Sequence, residues 1–170
     1  EKVGAILASS GAEIDGMISV AYVGSSVAAT LLRNLGDKRI NVHPAQPRAQ
    51  LMRTLQSYDA GIGLIPPTDL YIVSSPTKTL EYYAAGIPAI LNHLPEYEAL
   101  FDESSAFFCE LTAEAISAMV SRIHSMSRKE LQQIAHKGRE IVMRQRSYAV
   151  MAENLYHFLN KQLLHRTDAE

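Results

Sequence analysis

The sequence has no tryptophan and a single cysteine, Cys109, in 170 residues. One thiol excludes a disulfide framework and any multi-cysteine zinc site. An excess of one charge is also lacking: 16 Lys and Arg stand against 18 Asp and Glu, for a net charge of −2. That balance argues against a dedicated nucleic-acid binder, whose footprint is a strongly basic face. No apolar run approaches the roughly 18 residues needed to span a bilayer, and no signal-peptide pattern opens the sequence, so a cytoplasmic location is expected. An initiator methionine is missing too. Glu1 comes first, which leads to the expectation of a processed protein or an excised piece of a longer one. What is plentiful is apolar: 47% of residues are hydrophobic and 20% charged, as in a folded globular domain. At about 150 residues per domain, residues 1–170 form one.

Strand-like runs alternate with helix-period segments. Val3–Ala8, Ile18–Val23, Ile40–Val42, Ala60–Ile65, Pro88–Leu91 and Ala106–Cys109 read as strands, rich in β-branched residues or bounded by Gly, Ser and Pro. Helices fall between them. Ala28, Leu31, Leu32 and Leu35 share a stripe closed by Gly36, and Leu51, Met52, Leu55 and Tyr58 form another beginning near Pro47. A third has Ser75 as N-cap, Pro76 in its first turn and Gly86 as its stop. The last third is helical, with a stripe of Ile116, Met119, Val120 and Ile123. A Ser127–Glu130 capping box follows, leading Leu131, Ile134, Ala135, Ile141 and Val142. Ser147 then starts a final helix expected to turn Tyr148, Met151, Ala152, Leu155, Phe158 and Leu159 inward. Single helices between strands imply an α/β, three-layer, Rossmann-like domain, with a mostly parallel sheet of about six strands and a C-terminal helical cluster. Ligands of such sheets sit beyond the carboxyl ends of the strands.

The connection after the Ala60–Ile65 strand is longer than the usual 2–6 residues and leads into Ser74, Ser75, Pro76, Thr77 and Lys78. Hydroxyls, free N–H groups and an ammonium converge there on a helix N-terminus, which suits a phosphate or diphosphate. Lys78 opposes the helix dipole, and an anion bound at that end would reverse the penalty. Glu81 shares the face of Thr77 and Lys78, one turn below, where a carboxylate can accept hydrogen bonds from sugar hydroxyls. The same residues also make an ordinary helix start, with Lys78 and Glu81 as an exposed ion pair.

The run SPTKTLEYYAAGIPAI, preceded by SYDAGIGLIPP, resembles the C-terminal domain of GT-B glycosyltransferases of the retaining, glycogen-synthase-like superfamily. Tyr58, Asp59, Pro66, Pro76, Lys78, Glu81, Tyr82, Ala85, Gly86 and Pro88 carry the resemblance, which extends over roughly residues 40–165 to Arg146-Ser147-Tyr148. It implies the donor-binding half of an enzyme that transfers a sugar from a nucleotide-diphosphate sugar, with an N-terminal domain of the same polypeptide bringing the acceptor. It further implies that Lys78 neutralises the leaving group, that Glu81 holds the ribose, and that backbone around Ser75–Lys78 faces the diphosphate. No metal and no other cofactor is expected. Gly24 and Ser25 resemble a loop near the donor phosphates, and His43 follows a strand whose loop approaches the base; plain helix-start and turn roles are the alternatives.

The sequence departs from that pattern at Val73, where a first glutamate would stand, and at Ser9–Gly11, which carries neither Arg nor Lys. Ser9–Gly16 is also short for a crossover between parallel strands. These departures keep two rivals in view: a sugar-nucleotide epimerase or phosphorylase of the same fold, and a degenerate, non-catalytic binding module. Among the remaining candidates, His93 follows a strand at its carboxyl end, and Cys109 reads as a small buried hydrophobe. The basic run from Arg122 to Arg146 reads as a solvated helical face, with peripheral contact to anionic lipid as its other reading.

Overall fold

The computed structural model describes residues 19–24, 27–72 and 77–167. The strands are β1 (Val20–Val23), β2 (Ile40–His43), β3 (Gly61–Ile62), β4 (Ala89–Leu91) and β5 (Phe107–Phe108). The helices are α1 (Val27–Asn34), α2 (Arg48–Gln56), α3 (Thr77–Ala85), α4 (Pro95–Leu100), α5 (Ala113–Ser125), α6 (Arg128–Arg146) and α7 (Tyr148–Thr167). Every strand pair is parallel. β1 lies on β2 from Val20 opposite Ile40 to Val23 opposite His43, and β4 lies between β3 and β5.

The expected sheet of about six strands is corrected to five strands among the described residues, in one two-stranded and one three-stranded sheet. The run Val3–Ala8 lies outside the described residues, as does the short Ser9–Gly16 link. Regular pairing is brief because β3 and β5 have only two residues each. Beyond Gly63 the side chain of Asn92, rather than its backbone, meets Ile65.

Ala89, Ile90 and Leu91 are all buried, as befits a parallel strand covered on both faces. Successive residues serve opposite sides. Ala89 and Leu91 join Tyr83, Leu94, Tyr97, Phe101 and Val142, whereas Ile90 joins Phe107, Ile116, Met119, Ile123 and Leu131. Full burial of a side chain such as Leu91 contributes about 2 kcal/mol. Helix α6 reaches both clusters, through Val142 and Leu131. Its capping box forms as read: the Glu130 amide donates to Ser127 Oγ at 3.3 Å and the Ser127 amide to Glu130 Oε2 at 2.8 Å.

Two elements depart from expectation. Helix α4 is not among the helices expected from the sequence, although Pro95 at its start, Glu96 and Glu98 in its first turn, and buried Leu94, Tyr97 and Leu100 all mark it. Helix α7 forms where expected, but its stripe faces outward. Tyr148 is 87% exposed, Leu155 and Phe158 are each 57%, and Met151 and Leu159 are each 50%. Periodicity shows that a helix has an apolar face; it does not supply the surface that would cover it.

Candidate functional site

Helix α3 owes its position to two glycines. A Cβ at Gly61 would lie 2.3 Å from the Tyr82 ring, and one at Gly63 would lie 2.9 Å from both Leu91 Cδ2 and Thr79 Oγ1. The alternation in Ala60-Gly61-Ile62-Gly63 therefore makes a floor without side chains, onto which Tyr82 and Thr79 descend. Tyr82 Oη donates to the Ile62 carbonyl at 3.1 Å, and Tyr83 Oη to the Ser105 carbonyl at 2.6 Å. Burial pushes the Tyr82 phenol up to about 12, with Tyr97 and Glu81 adding to the effect. The Tyr83 and Tyr97 phenols are raised by the same cause. These are structural hydroxyls, protonated at neutral pH.

The far end of α3 closes as a glycine stop should. Gly86 takes φ +83°, its amide donates to the Tyr83 carbonyl, and the Ile87 amide donates to that of Tyr82, each at 3.1 Å. This pair of bonds is a Schellman motif.

With Thr79 and Tyr83 turned inward, the opposite side of α3 carries the candidate residues. Thr77 and Lys78 are exposed, and Glu81 is half-buried. The ion pairs formed among the described residues do not include Lys78 with Glu81. The simplest structural role for the two charges, a surface pair, is thus not taken up. Ser25, Ser74, Ser75 and Pro76 lie outside the described residues, as does Val73.

Gly24 and His43 meet at the carboxyl ends of β1 and β2. The Gly24 amide donates to the His43 carbonyl at 3.1 Å, continuing the strand ladder by one step. Gly24 adopts φ +153°, and a Cβ there would press on the Tyr22 ring at 3.3 Å. His43 is half-buried. The described residues thus give two groups, Gly24 with His43 and Thr77 with Lys78 and Glu81. No hydrogen bond or ion pair joins them among those residues.

His93 is exposed at the carboxyl end of β4. Its Nδ1 lies 2.8 Å from Glu98 Oε1, and its ring stacks on Phe108 at 5.3 Å. Glu98 is not an expected partner from the sequence, because it reaches His93 only through the unexpected helix α4. Cys109 is buried, and burial raises its thiol pKa, as suits an unreactive core residue. Part of the basic run is engaged within the fold. Arg122 lies over the Phe107 ring at 5.5 Å, Arg139 donates to the Ala84 carbonyl at 3.5 Å, and Arg146 pairs with Glu96 at 2.9 Å.

Parallel strands joined through helices, with a helix N-terminus after the carboxyl end of β3, define a Rossmann-like domain. A family model described as glycosyl transferase-like matches residues 11–157, and the chain belongs to that family. Solved structures share the fold. Sucrose-phosphate synthase from Thermosynechococcus elongatus superimposes with a TM-score of 0.75 at 16% identity, covering 97% of this chain and 42% of that one. A glycosyltransferase from Rickettsia africae gives a TM-score of 0.73 at 15% identity, covering 95% and 44%. Anabaena HepE, solved with UDP and glucose, gives 0.70 at 13% identity, covering 92% and 44%. The chain therefore spans less than half the length of these structures. No curated protein matches the sequence.

Proposed function

We propose that this domain holds the nucleotide-diphosphate sugar of a glycosyltransferase, at the amino-terminal end of α3. The observation that carries this reading is the pairing pattern on that helix. Lys78 is exposed in the first turn and Glu81 stands one turn further on, yet neither is used in an ion pair among the described residues. A lysine so placed works against the helix dipole until an anion arrives, and then both act together on it.

In transfer, the sugar's bond to the diphosphate breaks and a new bond to the acceptor's nucleophilic atom forms, the acceptor losing its proton and the nucleoside diphosphate leaving with its negative charge. Lys78 and the α3 amides stabilise that charge, and Glu81 fixes the nucleotide by accepting hydrogen bonds from the ribose. On this reading Gly24 and Ser25 serve the donor phosphates, His43 the base, and Ser74, Ser75, Pro76 and Thr77 the diphosphate. This chemistry calls on no metal. HepE, similar in fold, was solved with UDP and glucose, which supports a nucleotide-sugar donor here.

The acceptor belongs to a further domain of the same polypeptide. Two observations support this: the chain spans 42–44% of the three structures described above, and the apolar stripe of α7 lacks a cover among the described residues. Titration of the 170-residue chain with UDP and with GDP, followed by amide chemical shifts, tests the reading. Shifts concentrated on Thr77–Glu81 are expected, and their absence at millimolar nucleotide would overturn it. A non-catalytic binding module is the second reading, favoured by Val73 where the family pattern has an acid. Unchanged nucleotide binding and transfer in a full-length Glu81→Ala variant would support that alternative.

A further inference from the structure

The β4–α4 segment grips the β3–α3 connection from behind through two buried polar side chains. The ladder between β3 and β4 runs from the Gly61 amide to the Pro88 carbonyl at 2.9 Å and from the Gly63 amide to the Ile90 carbonyl at 2.8 Å. At the next step a side chain replaces the backbone. Ile65 donates its amide to Asn92 Oδ1 at 2.8 Å, and Asn92 Nδ2 donates back to the Ile65 carbonyl at 2.9 Å. Asn92 is 3% exposed, so both ends of its amide are satisfied by one residue, immediately before Pro66. Tyr97 instead ties the start of the connection to the helix that follows it. Its Oη donates to the Gly63 carbonyl at 2.8 Å and accepts from Thr79 Oγ1 at 3.1 Å. Tyr97 and Thr79 are each 1% exposed, and Thr79 stands between Lys78 and Glu81 in sequence.

Burial alone would be served as well by leucine at 92 and phenylalanine at 97. A buried amide or hydroxyl costs stability unless each partner is in place, and in return it fixes geometry more sharply than apolar packing does. Gly63 serves the same arrangement, since a Cβ there would lie 2.9 Å from Thr79 Oγ1 and 3.4 Å from Tyr97 Oη. We infer that Asn92 and Tyr97 are positioning residues for the nucleotide site. Asn92 sets where the chain leaves β3, and Tyr97, through Thr79, sets the first turn of α3 and so the stations of Lys78 and Glu81. This inference rests on the function proposed above.

Its test is a cycle of Tyr97→Phe, Thr79→Val and the double variant in the 170-residue chain, with Asn92→Ala beside it, each titrated with UDP and GDP. Tyr97→Phe removes one oxygen and keeps the ring, so it remains decisive even if Asn92→Ala fails to fold. The expected result is nucleotide affinity weakened about fivefold or more in each single variant, the cost of a misplaced hydrogen-bonding group. Ligand-free amide shifts should change at Thr77–Glu81. The double variant should be no weaker than the weaker single, because both act on one link. Unaltered affinity, or additive losses, would overturn the inference even where the melting temperature falls. If neither nucleotide binds the unaltered chain, the proposed function falls and the inference with it. If the unaltered chain binds and the variants bind equally, the inference falls alone.

Discussion

Gly138 lies in the middle of α6, where alanine would ordinarily improve the helix by about 1 kcal/mol. Here the local gain meets a tertiary obstacle. A Cβ at Gly138 would sit 2.0 Å from Tyr83 Cε1. That ring cannot retreat easily, since Tyr83 is fully buried, bonds the Ser105 carbonyl at 2.6 Å and lies 4.9 Å from the Phe101 ring. Overpacking of this kind costs about 1–3 kcal/mol. Gly138→Ala should therefore lower the midpoint of thermal unfolding by several degrees, as read by circular dichroism. An unchanged or higher midpoint would mean that α3 and α6 separate more easily than their packing suggests. Lys78 on α3 behaves oppositely, because its side chain is exposed. Lys78→Ala should leave the midpoint nearly unchanged and weaken UDP or GDP binding about tenfold or more, the scale of a hydrogen bond to a charged group.

At the scale of elements, the capping box of α6 ties a carboxylate to folding. Ser127 donates to Glu130 through its hydroxyl and its amide, and these bonds hold the Glu130 carboxyl below its usual range. A depressed folded value means that the charged form is the one the fold favours. The contribution is complete above about pH 5 and fades as pH falls through the carboxylate range. The unaltered chain should thus melt higher than Glu130→Gln at pH 7, and the gap should close in acid; a gap independent of pH would refute the assignment. Ser127→Ala removes the cap itself, at a cost of about 1 kcal/mol.

Such local devices were legible in the sequence because their partners stand three or four residues apart. The Gly86 stop, the Ser127–Glu130 box and the inward Ile116, Met119 and Ile123 stripe all appear where they were read. The Asn92–Ile65 bonds span 27 residues and the Thr79–Tyr97 bond 18, and no local pattern announces such pairs. Thr77, Lys78 and Glu81 stood out in the sequence because anion chemistry at a helix N-terminus is itself local. Gly24 and His43 meet across two strands of a separate sheet, a pairing that spacing along the chain does not encode.

For the molecule as a whole, the decisive feature is an apolar face that has no cover among the described residues. Along α7, Tyr148, Met151, Leu155, Phe158 and Leu159 are each at least half exposed, and Tyr156 is 63% exposed. A contiguous apolar patch of a few hundred Å² or more on a monomer marks an interaction surface. The further domain proposed above is the occupant this reading assigns to it, in keeping with coverage of only 42–44% of the sucrose-phosphate synthase, HepE and Rickettsia glycosyltransferase structures. The proposed second domain of the polypeptide would bury the stripe and so bring an acceptor towards α3. Two consequences separate this reading from a merely untidy helix. In the 170-residue chain, the double substitution Leu155→Glu and Phe158→Glu should reduce binding of a hydrophobic dye while moving stability by no more than about 0.5 kcal/mol, as exposed sites do. In a longer polypeptide containing the second domain, the same substitutions should be costly, because each would bury an unpaired carboxylate. Melting both forms by calorimetry compares them directly. Equal tolerance in the short and long chains would show that the rest of the polypeptide does not pack on α7.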